Sequence, residues 1–203
     1  MNAFRIVAIV LLAAGIAALP GCAKKTVTRV DTDTTIDLSG RWNDTDSRQV
    51  SEEMIRDCLN HPWISQHLTS NGGEKPTVIV GVVRNKTTEH IPVGTFINDL
   101  ERAFINVGSV EVVASAIERG DVRDERSEQQ RFASEETAKE FGRENGADYM
   151  LSGEMNSITD SEGGEKVLFY QVDLTLINIE TNTKVWLGQK KLKKFVGQGR
   201  YKS

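Results

Sequence analysis

The 203-residue sequence is short of the residue types that most enzyme chemistries need. It has two cysteines, Cys22 and Cys58, too few for a disulfide framework, and no Cys/His cluster with zinc-ligand spacing. The histidines His61, His67 and His90 form no His-Glu-x-x-His pair, and there is neither a Gly-x-Ser-x-Gly elbow nor a Walker-type phosphate loop. No pair of carboxylates stands out in apolar surroundings. The sequence therefore offers no catalytic residues, no metal ligands and no cofactor motif, and it reads as a non-enzyme. Charge of one sign is also lacking: 25 Lys and Arg against 29 Asp and Glu give a net charge of -4, mixed along the chain, which points away from nucleic acid as a partner. Long apolar runs are absent too, apart from Ile6 to Leu19, which falls short of the roughly 20 residues a membrane-crossing helix needs.

That one run has a recognisable setting. Arg5 supplies a positive start, and the run ends in Leu19-Pro20-Gly21-Cys22. This resembles the lipobox of bacterial lipoproteins, in which the cysteine is lipidated and becomes the new N-terminus. Ala23, rather than aspartate, follows the cysteine, which by the sorting rule of such proteins implies the outer membrane. Residues 1–21 are then a signal peptide and 22–38 a lipidated flexible tether, rich in Thr, Asp and Lys and without a core of its own. About 15 such residues reach about 50 Å when fully extended.

Residues 39–203 carry alternating helix and strand signals. Asp46 or Ser47 is positioned to cap a helix running to about Asn60, and Val50, Met54, Ile55, Cys58 and Leu59 form its apolar stripe, which makes Cys58 a buried structural thiol. A short helical turn follows at Trp63, Ile64 and Leu68. Thr77 to Val83 is a continuous β-branched run, the pattern of a central strand covered on both faces, and Arg84 to Thr87 reads as the polar loop after it. Phe96, Ile97, Leu100, Ala103 and Phe104 mark a helix ending near Gly108, and Val110 to Ala114 a short strand. Ser115 and Glu118 have capping-box spacing. Asp121 to Gln130 is either a solvated helix or a mobile loop. Ser134 begins a further helix stopped by Gly146 at positive φ.

Tyr149 to Ile158 and Lys166 to Ile179 are strands joined by a turn at Asp160 to Gly164, and in the second Leu168, Tyr170, Val172, Leu174 and Leu176 share one face. A last strand from Lys184 to Val196 holds Lys190, Lys191, Lys193 and Lys194. Those lysines suit either contact with an anionic surface or an edge strand protected from aggregation, and the second reading is favoured. The fold expected is α/β: a single domain with a mixed β-sheet of about five strands and helices packed against it.

Trp42-Asn43, Asn85-Lys86-Thr87, Asn145-Gly146-Ala147-Asp148-Tyr149 and Thr183-Lys184-Val185-Trp186-Leu187-Gly188, taken in order with Cys22, span nearly the whole chain after the signal. As an ordered set they resemble the LpoB family, outer-membrane lipoproteins that activate a peptidoglycan synthase. The resemblance implies a TolB N-terminal-like fold, a lipid on Cys22 that holds the protein in the outer membrane facing the periplasm, and a regulator of peptidoglycan synthesis that binds and activates a bifunctional penicillin-binding protein. The polar loop Arg84, Asn85, Lys86 and Thr87 is the candidate partner-binding segment, and Trp42, at the start of the first helix, is a further candidate. The Gly-Ala-Asp-Tyr stretch alone also resembles the curli secretion lipoprotein family, so the alternative is a subunit of an envelope assembly or secretion system. The tether departs from the long proline-rich one of LpoB proteins in being short and proline-poor.

Overall fold

A computed structural model describes residues 26–32, 34–134 and 144–197 of the chain. The signal segment and Cys22 lie outside the described residues, as does most of the helix expected after Ser134. Contacts divide the chain after Thr34. In the first unit the described residues are exposed and form no helix or strand. The second unit, Thr35–Ser203, holds the apolar core that the described residues form.

Helix α1 (Asp44–Asn60) starts one turn earlier than expected, because Asn43 is its cap rather than Asp46 or Ser47. The Asn43 Oδ1 accepts the Asp46 N–H at 3.0 Å while an Asp46 carboxylate oxygen accepts the Asn43 N–H at 2.9 Å. That reciprocal box needs a short polar acceptor and a carboxylate three residues on, and it satisfies two donors left over at the helix start. Val50, Ile55 and Cys58 are at most 1% exposed, so the stripe faces the core as its spacing requires. Helix α2 (Trp63–Ser70) follows, with the Trp63 indole N–H donating to the Cys58 carbonyl at 2.8 Å.

The sheet has the order β2-β1-β3-β4-β5, with β1 (Thr77–Asn85) parallel to β2 (Glu111–Val112) and to β3 (Tyr149–Glu162), and β4 (Glu165–Asn178) and β5 (Lys184–Val196) continuing antiparallel. Strand β1 is interior but not central; β3 holds the middle. Nor is β1 covered on both faces: Val78, Val80 and Val83 are buried while Val82 is 59% exposed. A register shift between Val80 and Val83 explains the unbroken apolar run, because a bulge moves the inward phase by one residue and makes alternation look continuous. The strand also runs on through Arg84 and Asn85, which were expected in a loop. The expected Val110 to Ala114 strand shrinks to two residues, since only Thr77 and Val78 stand opposite to pair with it.

The β3–β4 hairpin turns on Gly163 and Gly164 at φ +58° and +85°, the left-handed pair that a two-residue hairpin requires. Leu168, Tyr170, Val172, Leu174 and Leu176 are all at most 1% exposed, on the face where α1 and helix α3 (Val93–Val107) pack. Phe96, Leu100 and Phe104 are the buried stripe of α3, each worth about 1.5–3 kcal/mol of burial. Helix α4 (Ala116–Phe132) has the expected Ser115–Glu118 box and buries none of its residues, which resolves the Asp121 to Gln130 stretch as a solvated helix. Gly146 does not take the positive φ expected of a helix cap. Its neighbour Asp148 is tied instead to the sheet, accepting the Thr77 N–H at 2.7 Å where β1 and β3 begin.

Candidate partner interface

At the far end of β1 the chain leaves the sheet through a closed turn. The Lys86 N–H donates to the Met155 carbonyl at 2.8 Å, extending the β1–β3 ladder by one rung. Asn85 then folds the turn on itself: its Oδ1 accepts the Thr87 N–H at 2.9 Å and the Thr87 hydroxyl at 2.7 Å, and its Nδ2 donates to the Glu89 carbonyl at 2.8 Å. This is the local side-chain capture for which asparagine and threonine are suited. Both are half-buried, whereas Arg84 and Lys86 are exposed. Of these four residues, Asn85 and Thr87 therefore shape the turn, while Arg84, still on β1, and Lys86 face solvent.

Trp42 sits on the same part of the domain, half-buried, with its ring edge-on to Phe96 at 6.3 Å and to Tyr170 at 5.6 Å. Glu89 connects it to the turn. One Glu89 carboxylate oxygen accepts the Tyr170 hydroxyl at 2.7 Å, and the other accepts the Trp42 N–H at 3.2 Å. Burial first, and then the Glu89 carboxylate, push the Tyr170 phenol well above the usual tyrosine range. Tyr170 was read from the sequence only as a core residue of β4 and Glu89 was not singled out, since no local pattern marks a pair 81 residues apart.

The exposed pair of the turn continues across the sheet. Arg84 is opposite Glu154, Glu154 opposite Asp173, and Asp173 opposite Gln189, a polar row on the face away from α1 and α3. Lys86 Nζ pairs with Glu154 Oε2, and hydrogen bonding from Lys86, then from Asn156, holds the Glu154 carboxyl below the usual range. Gln171 and Gln189 each donate to Asp173 at 2.8 Å. The row is a preorganised array of donors and acceptors at the protein surface, and among the described residues no group of three or more His, Cys, Asp or Glu could hold a metal ion. Such an array is chemically suited to recognition by charge and hydrogen bonding.

The motif aromatics Tyr149 and Trp186 prove to be architectural. Tyr149 is buried against Trp63, ring centroids 4.9 Å apart. The Trp186 indole is 3% exposed and donates to Asp57 at 2.9 Å, and it lies across Gly188, where an added Cβ would come within 2.2 Å of the ring.

The fold is an α/β domain whose sheet presents a polar face away from α1 and α3. The model of the LpoB family, described as peptidoglycan-synthase activator, matches residues 46–192, and the chain belongs to that family. It is thus a regulator of peptidoglycan synthesis whose partner is a synthase, in a family of activators rather than catalysts. Among solved structures it is similar to the LpoB C-terminal domain from Escherichia coli, at 17% identity over 75% of this chain and 99% of that one, with a TM-score of 0.41. The corresponding domain from Salmonella enterica gives 18% identity, the same coverage and a TM-score of 0.38. Lipoprotein GNA1162 from Neisseria meningitidis gives 11% identity over 62% of this chain and 87% of that one, at 0.37. A comparison with curated proteins finds no match.

Proposed function

We propose that this chain is a lipoprotein held in the outer membrane through Cys22, with its globular domain in the periplasm, and that the domain binds and activates a bifunctional penicillin-binding protein. The observation that carries the binding part is the Asn85–Thr87 turn, which uses two side chains to fix its own shape and so presents Lys86 beside Arg84 at the end of a rigid strand. A turn already closed by its own side chains costs little backbone ordering when a partner docks. The anchoring part rests on the apolar run that ends at Gly21-Cys22. A tether this short keeps the domain near the outer membrane, so the synthase must extend toward it.

The test is capture from the native envelope with residues 23–203 as bait. Recovery of a bifunctional penicillin-binding protein, lost when Arg84 and Lys86 are both changed to glutamate, supports the proposal. Recovery only of outer-membrane assembly proteins would replace it with the assembly-subunit reading. Cys22→Ser should release the protein from the membrane fraction without unfolding it, since the core lies wholly beyond Thr35.

A further inference from the structure

We propose that the end of the sheet where the tether enters is a second binding surface, one that seats the domain on the lipid headgroups of the membrane holding its anchor. The inference rests on the lipid-anchor reading above. The globular unit begins at Thr35, and its first fixed point is Asp37, whose Oδ1 accepts Lys194 Nζ at 2.7 Å and Asn43 Nδ2 at 2.6 Å. Lys194 adjoins Phe195 on β5, so the tether meets the domain at that corner.

Exposed apolar side chains gather there. Leu38 is 93% exposed and Phe195 65%, and the two line one shallow depression over Gly40 and Val196. Ile158, 66% exposed, stands on the same sheet face, its row running through Phe169 to Lys193 and the next row from Asp160 through Val167 to Phe195. Exposed Lys191, Lys193 and Arg41 rim the patch. Apolar tips with flanking cations are the composition that settles at a headgroup boundary, and the cations favour an anionic leaflet. Asp160, Glu162 and Glu165 at the hairpin end are repelled by such a leaflet, which tilts the β5 side toward it.

Tether length supplies the rest. From Cys22 to Thr35 the chain reaches at most about 45 Å, so an anchored domain meets its own membrane at an effective concentration of about millimolar, and a weak surface suffices. Seated in this way, the corner with Asp37 and Phe195 faces lipid, and the Arg84–Glu154–Asp173–Gln189 row, two side-chain rows from Ile158 on the same face, stands at the rim of the contact, where a synthase reaching toward the membrane meets it.

The experiment is sedimentation of residues 23–203, made without lipid, with vesicles of phosphatidylethanolamine and phosphatidylglycerol. Association is expected, falling about fivefold for Leu38→Glu and for Phe195→Glu and also falling when phosphatidylglycerol is replaced by phosphatidylcholine. Leu187→Glu, at an equally exposed position toward the other end of β5, should bind like the parent. Circular dichroism melts establish that each variant is folded. No association, or equal association of all variants, overturns the proposal. So does a self-associated parent, in analytical ultracentrifugation, that the two substitutions convert to monomer, because the patch then belongs to a second copy. The protein used carries no lipid, so a failed anchor is read separately, from the mass of the N-terminal peptide of native protein.

Discussion

The Tyr170 hydroxyl donates to Glu89 at 2.7 Å, and through the same carboxylate it is joined to the Trp42 backbone. Three distant segments meet in this one node: the entry to α1, the turn after β1 and the middle of β4. The turn that presents Lys86 is therefore fastened to the sheet and to the helix layer at once.

Tyr170→Phe leaves a half-buried Glu89 oxygen without its donor and should cost about 1–2 kcal/mol in urea unfolding. The raised phenol also has a pH signature. The folded chain keeps the proton at a pH where the unfolded chain's phenol, near 10, gives it up, so the stability from this node is complete below about pH 10 and is lost as pH rises above it. Alkaline denaturation of the Phe variant should accordingly be shallower than that of the parent.

Gly188→Ala drives a methyl into the Trp186 ring, which has Asp57 on its N–H and cannot slide without losing that bond. A loss of about 1–3 kcal/mol is expected, read by thermal melting, with a changed near-ultraviolet Trp signal.

Burial pushes the Cys58 thiol up to about 12, against a smaller opposing effect of its contact with Trp63. Thiolate is the reactive form, so a thiol reagent at pH 8 should label Cys58 only as fast as the domain opens, and added urea should accelerate labelling in step with unfolding. Fast labelling of the folded protein would contradict this packing.

Lys194 holds two carboxylates, Asp46 at 2.6 Å and Asp37 at 2.7 Å, and the Asp46 side chain is 9% exposed. Lys194→Met leaves the Asp46 carboxylate without its cation, with only the Asn43 N–H on it among the described residues, and should cost about 3 kcal/mol, most of it recovered in the double variant with Asp46→Asn. The Lys194 hydrogen bond lowers the Asp37 pKa, so the part of the stability that Asp37 contributes is present above about pH 4 and is lost as pH falls below it.

What could be read from the sequence is what local physics decides. The inward row Leu168 to Leu176, the α3 stripe and the Ser115–Glu118 box were legible because period-2, period-3.6 and cap spacing are properties of a few neighbouring residues. Asn43 was passed over because Asp46 and Ser47 offer the same chemistry within one turn, and only the Asn43 backbone geometry selects among them. In β1 the bulge hid the exposure of Val82. Of the candidate interface, the basic pair was legible as charge in a polar stretch, but the division of labour, with Asn85 and Thr87 turned inward, needed the fold. Tyr170 was legible as a core residue of β4, but its bond to Glu89 was not, since that bond depends on β4 passing beneath the turn.

The most direct test of the account is glycan polymerisation by a purified bifunctional penicillin-binding protein with and without residues 23–203, comparing the parent with the double variant Arg84→Glu, Lys86→Glu. The account predicts stimulation by the parent, and for a folded double variant an affinity weaker by about tenfold or more with stimulation lost in proportion. A double variant that binds and stimulates like the parent would contradict the assignment of the interface, and a parent that leaves the synthase unbound and its rate unchanged would contradict the function.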